Sequence, residues 1–78
     1  MYSSRRTNLE IIQSSIEQIT SQLRDLVDTE QERYDSRSER WQESEKGEQM
    51  QDALDRLEEA VDALTDASAN IDDVLEVM

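Results

Sequence analysis

The chain has 78 residues, with 20 acids against 8 bases, a net charge of −12, and no His, Cys or Pro. That charge repels nucleic acid and anionic membranes, so any partner bound through charge is basic. Without His and Cys the commonest general base, the commonest metal ligands and all thiol or disulfide chemistry are gone.

A chain this short makes one domain, spanning 1–78, with a thin core. No apolar run approaches the roughly 20 residues of a membrane span. Arg5 and Arg6 are not followed by the apolar stretch of a signal peptide. The expected location is therefore the cytoplasm, that of the host if the chain is phage-encoded. No cofactor is expected. Abundant Glu, Gln, Ala and Leu with a single Gly favour helix.

Residues 1–6 read as a frayed end, with Ser4 or Thr7 as a cap and Glu10 at capping-box spacing from Thr7. Leu9, Ile12, Ile16, Ile19, Leu23 and Leu26 then repeat every three or four residues, which is a heptad seam. Beyond Leu26 that phase meets Glu30, Arg33, Arg37 and Arg40, while the apolar residues move to Val27, Tyr34 and Trp41. The first helix is expected over about 5–36.

A loop over about 37–43 follows, rich in residues that favour turns and caps. Ser44 is the expected N-cap of a second helix over about 44–77, with Glu45 and Glu48 at its positive end. In that helix Met50, Leu54, Leu57, Val61, Leu64, Ile71, Leu75 and Met78 form another heptad seam, interrupted only at Ser68. With Leu54 as position a, the column Ala53, Ala60, Ala67 and Val74 falls at g. Three apolar columns exceed what one partner helix covers.

Facing residues in an antiparallel hairpin have numbers of constant sum. A turn at Gly47 would set Leu54, Leu57 and Val61 opposite arginines, a costly burial of charge. A sum of 80 instead pairs Leu54 with Leu26, Leu57 with Leu23, Val61 with Ile19, Leu64 with Ile16 and Ile71 with Leu9. It places the turn near Arg40, with Tyr34 and Trp41 anchoring the loop end over Met50 and Gly47 admitting them. A sum of 87, turning near Glu43 and Ser44, is the alternative.

The expected fold is thus all-α: an antiparallel two-helix, coiled-coil-like hairpin, pairing into a homodimeric four-helix bundle through Ala53, Ala60, Ala67 and Val74. Glu48, Asp52, Asp55, Glu59, Asp62, Asp66, Asp73 and Glu76 take the b and f positions. They form an acidic line whose charges follow one another roughly every 5 Å at 1.5 Å of rise per residue. That face either keeps a small bundle soluble or binds protein.

The segment 31–50, QERYDSRSERWQESEKGEQM, followed by DALDRLEEAVDAL, resembles a set of small acidic helical-hairpin proteins of phages and bacteria. The shared features are an aromatic–Asp pair (Tyr34–Asp35), a Ser-Glu-Lys/Arg-Gly-Glu motif (Ser44 to Glu48) and acidic Ala/Leu heptads. Ser38 stands where Pro is common. The resemblance covers about residues 28–66 and implies a helical hairpin of phage or mobile-element origin, with no activity attached.

The functional expectation is a non-enzymatic protein-binding accessory protein. It would be an acidic inhibitor, or DNA-mimic decoy, of a host nucleic-acid-binding defence protein, with no direct binding of nucleic acid or membrane. The alternatives are a self-associating structural or assembly protein and an antitoxin-like neutraliser of a basic partner.

Overall fold

The computed structural model describes residues 2–78, and side chains from residue 4 onward. Three helices follow in order: α1 Tyr2–Asp35, the single turn α2 Glu39–Gln42, and α3 Glu45–Val77. The two long helices lie side by side as an antiparallel pair, and the described chain is all-helical, as expected. The molecule is a rod of 59 × 15 × 14 Å. Its radius of gyration is 17.6 Å, where a compact chain of this length would show about 11.5 Å.

Of the residues expected as a frayed end, 2–6 are helical, because α1 starts at Tyr2, and Met1 lies outside the described residues. Ser4 and Thr7 lie within the helix rather than at its start. Arg6 explains the anchoring: Nη1 donates to the Leu75 carbonyl at 2.9 Å, and Nε pairs with Glu10 at 3.1 Å.

Five cross-helix hydrogen bonds bracket the register. Gln13 Nε2 donates to the Ser68 carbonyl at 3.1 Å and Arg6 reaches Leu75, pairs that sum to 81; Gln13–Asp72 and Glu17–Ser68 sum to 85, and Arg24–Thr65 to 89. The seam residues Leu9, Ile16, Leu23, Leu57, Leu64 and Ile71 are all half-buried.

The rotation of α1 differs from the expectation. Leu26 and Ile19, expected to face Leu54 and Val61, stay half exposed together with Ile12, at 50%, 52% and 50%. The residues of α1 that are buried, as Leu54 and Val61 are on α3, are Val27 and Thr20. The observed seam of α1 is Leu9, Gln13, Ile16, Thr20, Leu23, Val27, Glu30 and Tyr34.

The reason lies in the C-terminal half of α1. The 12–19–26 column continues into Arg33, whose guanidinium cannot be buried cheaply. The 13–20–27 column continues into Tyr34, which the loop end requires. One rigid helix must serve both halves. It therefore buries Thr20, half-buries Gln13 and leaves Ile12, Ile19 and Leu26 outside; Ile11, on the outer face, is exposed as well. The buried polar groups are satisfied: Thr20 Oγ1 donates to the Ile16 carbonyl at 2.6 Å, as a mid-helix Thr commonly does.

Among the described residues only Val27, Leu54 and Val61 are buried hydrophobic side chains. Each fully buried side chain contributes about 1.5–3 kcal/mol. The accessible surface is 6125 Å², where a compact 9.1 kDa chain would expose about 4,900 Å².

Candidate functional site

Two side faces and one end of the hairpin hold the candidate residues. Lettering the observed seam as heptads puts Gln13, Thr20, Val27 and Tyr34 at a, and Leu9, Ile16, Leu23 and Glu30 at d. Ile12, Ile19 and Leu26 are then g, as Ala53, Ala60, Ala67 and Val74 are on α3. In an antiparallel pair the two g columns flank the same side of the seam, and the two e columns flank the other.

The e side is polar. Arg24 donates to Thr65 Oγ1 at 3.2 Å, Ser68 Oγ approaches Glu17 at 3.5 Å, and Gln13 also donates to Asp72. The g side is apolar. Ala60 and Ala67 are half-buried there, while Ala53 and Val74 are exposed. The structure thus brings the predicted alanine column beside an aliphatic column that sequence reasoning had assigned to the hairpin core. The signal that separates the two assignments is the run Val27–Tyr34–Trp41, seven residues apart, which fixes the rotation of α1.

All eight residues of the predicted acidic line are exposed. Around a helix the positions follow the order a, e, b, f, c, g, d. At 3.6 residues per turn the b/f line of α3 is centred roughly 120° from its g column. The line therefore turns toward the e side, away from the apolar edge. From Glu48 to Glu76 it runs about 42 Å at 1.5 Å per residue. Asp55 accepts a hydrogen bond from Gln51 on its own helix at 2.9 Å, which leaves its charge uncompensated.

The loop end is tightly constructed. Ser38 caps α2, accepting from the Trp41 amide at 3.2 Å. Ser44 caps α3 as expected, accepting from the Gly47 amide at 3.2 Å, and its hydroxyl donates to the Trp41 carbonyl. Gln42 Nε2 donates to the carbonyls of Tyr34 and Arg37, at 3.0 and 3.1 Å, tying the turn to the end of α1.

The Tyr34 and Trp41 rings meet edge to face with centroids 6.0 Å apart. The Arg37 guanidinium lies 4.0 Å from the Trp41 ring centre, a cation–π contact. Met50 shares a shallow groove of about 230 Å³ with Glu30, Arg33, Tyr34, Arg37 and Trp41. Both anchors therefore sit at the loop end over Met50, as the register argument placed them. Arg33 is paired with Glu30 at 3.4 Å, so the arginines here do not form an open basic patch.

Among the described residues no group of three or more Asp or Glu side chains is arranged to hold a metal ion, and no helix is long and apolar enough to cross a membrane. Comparison of the chain with protein-family models, with curated proteins and with solved structures gives no match.

Proposed function

We propose that this chain is a non-enzymatic protein-binding accessory protein that works as a homodimeric four-helix bundle. Its α3 acidic line is the surface offered to a partner with a basic face. The observation that carries this reading is the division of the hairpin into two opposed sides. The apolar g edge is suited to self-association, and the acid-bearing side stays in water whether or not the edge is covered.

In its specific form the protein is an acidic inhibitor, of phage or mobile-element type, that occupies the nucleic-acid groove of a host defence protein as a decoy. Duplex DNA carries about one charge per 1.7 Å. A single α3 line is sparser than that, and two lines on one dimer come closer. Affinity capture from a host lysate tests the idea. Partners released by added salt and competed by DNA are expected; recovery only of partners indifferent to both would exclude the decoy.

The exposed apolar edge also favours a second reading, an assembly protein whose task is self-association. Light scattering against concentration separates the two. A plateau at twice the chain mass fits the bundle, and open-ended growth fits assembly. An antitoxin-like neutraliser of a basic protein would show a single tight partner encoded beside it.

A further inference from the structure

The distribution of acids around the hairpin identifies what covers the apolar edge. α1 and α3 together carry eighteen of the twenty acids. In the observed heptad phase, none of the eighteen occupies a c or g position. All sit at e, b or f, apart from Glu30 at d. The c columns that border the apolar edge hold Asn8, Ser15, Gln22 and Thr29 on α1, and on α3 they are uncharged except for Arg56. The charges found at c and g, namely Arg5, Arg33, Lys46 and Arg56, are all basic.

An aliphatic strip cleared of acids is the surface on which two copies of an acidic chain can meet without opposing or burying carboxylates. A partner chosen for basicity would meet the opposite side. The acidic protein that is always present is a second copy, itself at −12.

The shape of the edge sets the arrangement. Its α1 column is large (Ile12, Ile19, Leu26) and its α3 column is small (Ala53, Ala60, Ala67). Two hairpins meeting edge to edge have two twofold solutions. An axis perpendicular to the helices stacks α1 on α1, large on large, and leaves alanine facing alanine. An axis parallel to the helices stacks each α1 on the partner's α3, large on small. The second solution sets the Ile12, Ile19 and Leu26 column of each copy against the Ala67, Ala60 and Ala53 column of the other.

The strip is about 21 Å long on α1 and about 32 Å long on α3, each one helix diameter wide, on the order of 500 Å² in all. A standard interface buries about 800 Å² per partner.

We infer that the g edge of the hairpin docks on the same edge of a second copy about a twofold axis parallel to the helices. Both loops lie at one end, and the aliphatic column of α1 sits on the alanine column of the partner. This rests on the proposed self-association and adds its face and geometry.

The chain has no Cys, so a single exposed site, Arg40→Cys, can carry a spin label on the intact protein. Sedimentation should give twice the chain mass. Label-to-label distances well below half the 59 Å rod length are expected. A dimer with distances near the full rod length overturns the parallel axis but leaves self-association standing. A monomer at all concentrations overturns both.

The face is tested separately by Ile19→Glu against Ser21→Glu. Both positions are exposed, so helicity by circular dichroism should be kept in each. Ile19→Glu should raise the dimer dissociation constant about a hundredfold and Ser21→Glu no more than a few-fold. Equal effects, or none at Ile19, would show that the edge is not the interface.

Discussion

The α carbon of Gly47 lies against the backbone of Gln42, so close that a β carbon there would stand 2.6 Å from the Gln42 carbonyl carbon. The Trp41 carbonyl oxygen would be nearer still. The backbone at Gly47 is ordinary helix, and the need for glycine is purely steric. It is what lets the α2 turn fold down on the first turn of α3, and with it the Tyr34–Trp41 pair.

Gly47→Ala should therefore destabilise the hairpin, although alanine is the better helix former. The obstruction is backbone and cannot swing aside, so a loss of at least about 1–3 kcal/mol is expected, as for overpacked sites. Urea unfolding followed by circular dichroism measures it; a neutral or stabilising result would contradict the close approach.

Ser44→Ala removes the N-cap of α3 and the hydroxyl that meets the Trp41 carbonyl. A loss of about 1 kcal/mol is expected from the cap. Ser36→Ala, at an exposed hydroxyl bonded only to the Arg33 carbonyl one turn back, should cost much less in the same assay.

Trp41 is the only tryptophan, so its fluorescence reports the loop end alone. Trp41→Ala loses an aromatic pair worth about 0.5–1.5 kcal/mol. It also loses a half-exposed cation–π contact worth about 0.5–1 kcal/mol. Arg37→Ala should change the Trp41 emission while moving stability by less than Trp41→Ala does. Unchanged emission in Arg37→Ala would rule out the stacked arginine in solution.

Ala60→Glu and Ala67→Glu should weaken self-association by about tenfold or more, because each puts a charge into the dry centre of the g edge. Asp62→Lys, at a solvated b position, should leave the mass in solution unchanged. Equilibrium sedimentation across a dilution series distinguishes them, and an Ala60→Glu protein of unaltered mass would refute the g-column interface.

Asp55→Lys combined with Asp62→Lys reverses two charges at the middle of the acidic line without touching the apolar edge. Partner capture should fall and its dependence on salt should flatten, since exposed charges act mainly through screened, long-range attraction. Dimer mass should not change. Capture that survives the double reversal would assign the acids to solubility alone.

What the sequence determined by itself was what local chemistry and periodicity can specify. Heptads without Pro gave two long helices, Ser44 gave the start of α3, and the penalty for burying Arg33, Arg37 and Arg40 excluded a turn at Gly47. That kept the turn between the two seams and set the acidic line on the outside. The rotation of α1 was decided only by the tertiary structure. Both the 12–19–26 and the 13–20–27 columns combine with Leu9, Ile16 and Leu23 into acceptable heptads, and over the first three turns the former is the more apolar. The choice falls at the other end of the helix, where Tyr34 must meet Trp41 across a turn closed by Gln42 and Gly47. A helix rotates as one body, so a contact made at the loop fixes which residues face inward five turns away. Ile12, Ile19 and Leu26 are left on the surface for that reason, beside the alanines of α3.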